Sequence, residues 1–402
     1  MSFTLQLAVN GGAPVRKTAL SPWPWYDTDE VEVAAQVLRS GRVNYWTGNE
    51  CKLFEREFAA YHGVKYGVAL ANGTLALELA FKVLGVGDGD EVIVTPRSYV
   101  ASASSIVLSG AMPVFVDIDP DSQNLRVDLI RSAITEKTKA ILAVHLAGWP
   151  CDMLEIMQIA KENNLFVVED CAQAHGARID NKLVGSFGDV SAFSFCQDKI
   201  MTTAGEGGML LTNDPGLWAD AWAYKDHGKS WSRVHANDHP PGFRWLHSSF
   251  GSNWRMTEIQ GAIGRIQLRK LEHWLLKRHR NVERLLEGLS DIAALRIARP
   301  PAAVYHAYYM FYAFLRPERL KPGWTRDRIL LALTAEGVPG KAGSCPEIYR
   351  EPAFSRFGFP SLPVARKMGE LSLTFPVHPT LKRVEVDDIV TAVHKVFEVA
   401  SI

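Results

Sequence analysis

Residues 190–214 read VSAFSFCQDKIMTTAGEGGMLLTND, and this stretch places one lysine, Lys199, between two apolar segments. The phrase VSAFSF before the lysine is typical of a buried strand. The phrase GGMLLTND after it predicts a second short strand that ends in a turn. We therefore expect Lys199 in a loop between two core strands, with its ammonium partly desolvated. Desolvation disfavours the charged form of a lysine, so the amine becomes a better nucleophile toward an aldehyde.

Upstream of this stretch, strand-like and helix-like segments alternate. The strand-like segments are YGVAL, DEVIVTP, MPVFVDID, KAILAVHLAG and LFVVEDCA, and most are separated by segments with helical spacing. They are continuous apolar runs, which indicates strands buried on both faces. We therefore predict an α/β fold in which a mostly parallel sheet lies between layers of helices.

The pattern divides the chain into three parts. Residues 1–30 are punctuated by Gly and Pro and predict an extended arm. Residues 31–260 predict the large sheet domain, including a loop-rich aromatic segment near its end. Residues 261–402 predict most of a long connecting helix followed by a smaller α+β domain.

Composition narrows the class of protein. The chain has 402 residues with 44 basic and 44 acidic side chains, so we expect no nucleic-acid partner. It shows no signal-peptide pattern, and no apolar run has the length of a membrane span. The five cysteines are scattered without a CxxC pair, so we expect no disulfide framework, no cysteine-rich metal site and a cytoplasmic location.

Two further segments carry polar residues where a parallel sheet presents its ligand-binding edge. In ANGTLALE, a strand runs into a helix through Gly73 and Thr74, so free amides at the helix N-terminus can hold a phosphate. In LFVVEDCAQAHGA, Asp170 ends a buried strand with Gln173 close behind it. Each segment also has a simpler interpretation. The Gly73–Thr74 turn could be a simple helix cap, and Asp170 could cap the turn that follows it.

Taken in order along the chain, a phosphate turn, a strand-end acid and a loop lysine meet the needs of a pyridoxal 5'-phosphate site. Asp170 would keep the pyridine nitrogen protonated, so that the ring accepts electrons. Lys199 would hold the aldehyde and then shuttle a proton. Asn253 precedes the long helix and could donate to an anion, although alone it reads as a turn or cap residue.

At these residues the sequence resembles the DegT/StrS-type sugar aminotransferases, which are fold-type I pyridoxal phosphate enzymes. The resemblance covers nearly the whole chain, from NYWTGNECKLFEREFAAYHGV to the C-terminal HPTL, and VEDCAQAHGA and FSFCQDKIMTTAGEGGM are its most specific motifs. It implies an aspartate aminotransferase-like large domain with a seven-stranded sheet. It also implies a cofactor that alternates between pyridoxal phosphate and pyridoxamine phosphate.

The resemblance assigns the cofactor-binding residues. Lys199 becomes the Schiff-base lysine and Asp170 the partner of the pyridine nitrogen. The remaining contacts would be Gln173 against the phenolic oxygen, Tyr99 stacked on the ring, and Gly73, Thr74 and Ser194 on the phosphate.

Other assignments concern a second subunit and the substrate. Asn253 would reach the phosphate bound by a neighbouring subunit, which implies a homodimer with shared active sites. Segments near the sugar would contain Trp46, Thr47, His227 and His306. For each histidine, a hydrogen-bonded structural role is the alternative.

The implied reaction moves an amino group from glutamate or glutamine to a nucleotide-linked keto-sugar, in sugar or polysaccharide biosynthesis. One departure leaves the acceptor open, because many nucleotide-sugar members have HPxK where this chain has CQDK. A glutamine-bearing version followed by TAGEGG is similar to members that act on keto-cyclitols of the scyllo-inosose type or on aminohydroxybenzoate precursors. A branch with histidine in place of the lysine performs dehydration, and a non-catalytic ligand sensor is a further reading. Lys199 argues against both.

Overall fold

The computed structural model describes residues 6–236 and 241–402. The α-helices are α1 (Thr28–Ser40), α2 (Glu50–His62), α3 (Gly73–Val83), α4 (Ala101–Leu108), α5 (Val127–Ala133), α6 (Met153–Asn163), α7 (Pro215–Tyr224), α8 (Trp231–Val234), α9 (Glu258–Gly288), α10 (Arg326–Ala335), α11 (Pro363–Leu371) and α12 (Arg383–Ala400). The strands are β1 (Tyr66–Leu70), β2 (Glu91–Val94), β3 (Met112–Phe115), β4 (Thr138–Val144), β5 (Phe166–Asp170), β6 (Arg178–Ile179), β7 (Lys182–Leu183), β8 (Val190–Ser194), β9 (Gly208–Thr212), β10 (Leu295–Arg296), β11 (Val304–Tyr305), β12 (Phe311–Leu315) and β13 (Ser372–Phe375).

The main sheet has seven strands in the order β1-β9-β8-β5-β4-β2-β3. Strand β9 runs antiparallel to both of its neighbours, and the other six strands are parallel to one another. The prediction of a mostly parallel sheet among helices is confirmed. The register places Leu70 and Ser194 on either side of Gly208, so the end of β1 and the end of β8 meet beside the start of α3.

Alternate residues of one strand are buried on opposite faces of this sheet. Leu142 packs in the core beneath α3, whereas its neighbour Ile141 packs in the core beneath α6. Likewise Ala192 and Phe193 lie in different cores, the second against α2 and α9. Burial on both faces explains why the strands read as continuous apolar runs.

Helix α9 connects the large sheet to a second core. A capping box starts the helix, in which the Gln260 side chain accepts from the Thr257 backbone at 2.8 Å. Leu271 and Leu275, near the middle of the helix, pack in the core of the main sheet, and Val282 and Leu285, nearer its C-terminal end, belong to the C-terminal core. That core also contains β12, β13 and α12, and β10, β12 and β13 form a three-stranded antiparallel sheet. The division at 260/261 stays a prediction, because α9 spans it.

The N-terminal arm packs on the C-terminal part of the chain. It contains a short 3-10 helix at Ala8–Asn10, and α1 begins before the predicted end of the arm. Arg16 pairs with Glu385 at 3.0 Å and with Asp388 at 2.7 Å, so the arm is tied to the start of α12. Residues 1–5 of the predicted arm lie outside the described residues.

A third small sheet, of β11, β6 and β7, accompanies the two larger ones. The predicted aromatic, loop-rich segment 226–254 contains the short helix α8, and residues 237–240 lie outside the described part of the chain. Over the described residues, no helix is both long and apolar enough to cross a membrane. All five cysteines are free thiols.

Candidate active site

The carboxyl ends of the parallel strands open into a cavity of about 930 Å³. Val144, Asp170 and Ser194, the last residues of β4, β5 and β8, all line it. This edge is where parallel sheets bind ligands. Seven of the predicted site residues line this one cavity: Gly73, Thr74, Tyr99, Asp170, Gln173, Ser194 and Lys199.

The start of α3 packs tightly against β8. A Cβ atom on Gly73 would lie 2.6 Å from the Cβ of Ser194 and 3.1 Å from its hydroxyl, so no larger residue fits without displacement. Asn72 caps the helix by accepting from the Leu75 amide at 3.0 Å. The first turn of α3, Thr74 and Ser194 line the cavity together, and backbone amides at a helix start with nearby hydroxyls suit a phosphate.

Asp170 is a buried acid without a cationic partner among the described residues. Its side chain is 4% exposed and accepts from the Ser102 hydroxyl at 2.7 Å and from the Ala172 amide at 3.1 Å. Burial raises the pKa of this carboxyl, although the hydrogen bond from Ser102 opposes the shift. A cation placed beside it would remove the cost of ionisation, so the site fits a protonated ring nitrogen.

The serines behind Asp170 were missed by the sequence analysis. Ser102 donates to Asp170, and the Ser98 hydroxyl lies 2.8 Å from that of Ser102. Because Ser102 donates its proton to the carboxylate, Ser98 must donate to Ser102. The sequence signal for this pair is the spacing of four residues between the two serines in SYVAS, which places them on one side of a helical turn.

Glu169, the residue before Asp170 in β5, points to the other face of the strand and anchors it by hydrogen bonds. It accepts from three backbone amides, those of Gly185, Phe187 and Gly188, at 2.7–2.8 Å. Its remaining contact is with the buried His145 ring at 3.2 Å, and the other nitrogen of that ring accepts from the Cys151 amide. These bonds use the polar atoms of Glu169 and His145 and fix the end of the strand that carries Asp170.

Gln173 is oriented by a backbone group. Its Oε1 accepts from the Ala147 amide at 2.7 Å, where Ala147 has a positive φ of 55°. This bond fixes which way the side-chain amide points. The amide nitrogen is thus the group left to donate, as contact with a phenolic oxygen would require.

Lys199 lies in the loop between β8 and β9, as predicted, with its side chain 15% exposed. Its Nζ lies 3.3 Å from Asp198 Oδ1 and 5.1 Å from the centre of the Tyr309 ring, and Tyr309 donates to Asp198. Burial would raise the pKa of Asp198, but the charge of Lys199 and the Tyr309 hydrogen bond together lower it. This Asp198–Tyr309 pair has no signal in the sequence, since Tyr309 is distant in the chain.

Tyr99 lies at the rim of the cavity and is 68% exposed. It directly precedes the first turn of α4, where its backbone carbonyl accepts from the Ser102 amide at 3.1 Å. The ring is therefore carried by the same short segment that holds Asp170. Its predicted stacking on the cofactor stays a prediction.

Four predicted residues, Trp46, Thr47, His227 and Asn253, lie outside the lining of this cavity. Trp46, His227 and Asn253 cluster around Asp226. Asn253 forms an antiparallel bridge with Asp226, and Lys229 pairs with Asp226 at 3.0 Å while covering the Trp46 ring at 4.3 Å. The Trp254 carbonyl beside Asn253 accepts from the Ala71 amide, next to the Gly73–Thr74 turn.

His306 also lies outside the cavity. It is 5% exposed, stacks on Tyr308 with ring centres 3.9 Å apart, and accepts from the Tyr308 amide at 2.9 Å. Burial lowers its pKa to about 3, so the ring is neutral near pH 7. This is the hydrogen-bonded structural arrangement that the sequence left open as the alternative.

A sheet-edge cavity with a turn suited to a phosphate, a buried strand-end acid and a loop lysine is the arrangement expected of a fold-type I pyridoxal phosphate-dependent enzyme. A model of the DegT/DnrJ/EryC1/StrS aminotransferase family matches residues 24–394. The chain belongs to this family, and it is a pyridoxal phosphate-dependent aminotransferase.

Curated relatives of the chain carry the names of different enzymes. A GDP-perosamine synthase of Caulobacter vibrioides is 38% identical over 347 residues, which cover 85% of this chain and 89% of the relative. An L-glutamine:2-deoxy-scyllo-inosose aminotransferase of Streptomyces kanamyceticus is 38% identical over 344 residues, covering 83% and 79%. The crystal structure of an aminotransferase from Psychrobacter cryohalolentis is 49% identical, with a TM-score of 0.93 over 94% of this chain and 99% of that one.

Proposed function

We propose that the enzyme moves an amino group from glutamate or glutamine to the ketone of a nucleotide-linked sugar. The observation that supports the chemistry is the convergence of Lys199, Asp170 and the Gly73–Thr74 turn on one cavity. The family and the GDP-perosamine synthase relative support the kind of acceptor. When bound, pyridoxal phosphate supplies an aldehyde and an electron-accepting ring.

Each cavity residue would have a separate role in this reaction. Asp170 would hold the proton at the ring nitrogen, and Lys199 Nζ would carry the proton that moves at the reacting carbon. The phosphate would be bound by the α3 amides with the Thr74 and Ser194 hydroxyls. Gln173 would donate to the phenolic oxygen, and Tyr99 would cover one face of the ring and exclude water from it.

A keto-cyclitol is the second candidate acceptor. It is favoured by Cys196-Gln197-Asp198 before the lysine and by the 2-deoxy-scyllo-inosose aminotransferase relative, whose identity equals that of the GDP-perosamine synthase. Cys196, Gln197 and Asp198 all line the cavity, so they lie where an acceptor would bind.

A half-reaction separates the two acceptors. We expect glutamate or glutamine to bleach the visible absorbance of the purified holoenzyme, and a GDP- or UDP-linked keto-sugar to restore it. Stopped-flow absorbance measures both steps. Restoration by a keto-cyclitol alone would select the second candidate, and restoration by neither would contradict both.

We also propose a homodimer in which Asn253 serves the partner's site. Asn253 is exposed and does not line the cavity of its own chain, which supports this assignment. The cytoplasmic location stays a prediction.

Mixing two inactive variants tests the shared site. Asn253→Asp places a carboxylate where it would repel the phosphate, and Lys199→Ala removes the amine. When the two are denatured together and refolded at equal amounts, half of the dimers are mixed and one of their two sites is intact. We therefore expect about a quarter of the wild-type activity. Light scattering checks that dimers form, and dimers without recovered activity would contradict the shared site.

A further inference from the structure

The N-terminal arm contacts the backbone of the lysine itself. The indole Nε1 of Trp23 donates to the main-chain carbonyl of Lys199 at 2.9 Å. The other backbone bond of this residue is internal to its loop, from the Lys199 amide to the Cys196 carbonyl at 3.0 Å. Among the described residues, Trp23 therefore makes the one hydrogen bond that reaches the Lys199 backbone from outside the loop.

The rest of the lysine loop is fixed on both sides of this residue. On one side, the Phe195 and Gln197 amides donate to the Gly207 and Gly205 carbonyls at 2.8 and 2.9 Å. On the other side, the Thr202 amide donates to the buried Gln267 side chain at 2.8 Å. Lys199 lies between these fixed points, and a lysine side chain has four rotatable bonds. The position of its amine thus depends on how firmly its own backbone is held.

Trp23 is itself held rigidly. Its ring packs edge-on against Trp274 with centres 5.2 Å apart, stacks on His378 at 6.1 Å, and lies 5.5 Å from the buried Arg278 guanidinium. The Pro22 carbonyl accepts from Thr380 at 2.7 Å. The indole thus joins the lysine loop to α9 and to the C-terminal part of the chain.

We propose that Trp23 is a positioning residue for Lys199, whose indole N–H fixes the backbone from which the reactive amine extends. The arm and its ion pairs with α12 thereby become part of the support of the active site. A small displacement of a reacting group costs a large factor in rate, so one hydrogen bond at this point has a functional effect. This inference rests on the proposed role of Lys199.

Trp23→Phe tests the inference, because it keeps an aromatic ring against Trp274 and removes the N–H donor. We expect the capture of Lys199 by pyridoxal phosphate in the cofactor-free protein, followed by borohydride trapping and peptide mass spectrometry, to slow by roughly two- to tenfold. That range is what the loss of one net hydrogen bond corresponds to. The pH titration of the visible absorbance of the holoenzyme should also shift by a few tenths of a unit or more.

The matched control is Trp25→Phe. Trp25 is in the same arm, is 51% exposed, and donates its indole N–H to Asp27 at 2.9 Å, away from the lysine loop. This variant should leave both readouts at wild-type values, and thermal unfolding checks that both variants fold. If Trp23→Phe behaves as Trp25→Phe does, the inference is overturned.

The experiments distinguish a failure of the role proposed for Trp23 from a failure of the role proposed for Lys199. If Lys199→Ala abolishes the visible absorbance while Trp23→Phe leaves capture and titration unchanged, only the role of Trp23 fails. If Lys199→Ala keeps that absorbance, the role of Lys199 fails, and the role of Trp23 with it.

Discussion

Lys199→Ala should abolish the visible absorbance of the purified protein and lower transamination by at least about 10³-fold. The physical reason is that the variant lacks the amine that, in the proposed function, holds the aldehyde and carries the proton. Absorption spectra at matched protein concentration and the glutamate half-reaction measure the two effects.

Lys341 supplies the control for that experiment. It is the other lysine among the described residues that line the cavity, and its side chain is exposed. Lys341→Ala should keep the visible absorbance. A spectrum that survives in the Lys199 variant and disappears in the Lys341 variant would reassign the reactive amine.

Asp170→Asn should lower the transamination rate by about 10²- to 10³-fold, the cost of removing a preorganised charge at a reacting centre. The same change should have the opposite effect on the stability of the cofactor-free protein at neutral pH. Burial raises the pKa of Asp170, so the folded cofactor-free protein ionises this carboxyl at a free-energy cost that asparagine does not carry.

The sign of the pH dependence follows from the same shift. Below the ordinary carboxyl pKa of about 3.9, Asp170 is protonated in the folded and unfolded states, and no cost arises. The cost grows as the pH rises through the higher pKa of the folded state. We expect the melting temperature of cofactor-free Asp170→Asn to exceed that of the wild type at pH 7, and this gain to disappear toward pH 3–4. A variant that is less stable at pH 7 would contradict the burial argument.

The sequence predicts those features of the site that depend on local order along a strand or turn. Asp170 is predictable because it ends an apolar run, and Gly73 because it joins a strand to a helix, whereas Ser194 was assigned only through the family resemblance. Strands buried on both faces predict the mostly parallel sheet, whereas its number of strands was implied only by the family resemblance.

Contacts between segments that are distant in the chain could not be predicted from local sequence patterns. Trp23, which precedes the lysine loop in the chain, and Tyr309, which follows it, both contact this loop. Neither position shows a local sequence pattern that predicts the contact. The ion pair between Lys199 and Asp198 was also not predicted, although the two residues are adjacent in the chain. Trp46, Thr47, His227 and Asn253 lie outside the cavity lining of this chain, so their assignments to the sugar and to a partner's site stay predictions.

The central claim is that Lys199 is the amine that binds the cofactor. Borohydride reduction of the purified holoenzyme followed by peptide mass spectrometry tests it most directly. The account predicts a pyridoxyl-phosphate adduct on the peptide that contains Lys199. An adduct on Lys341 or on any other lysine, with Lys199 unmodified, would contradict it.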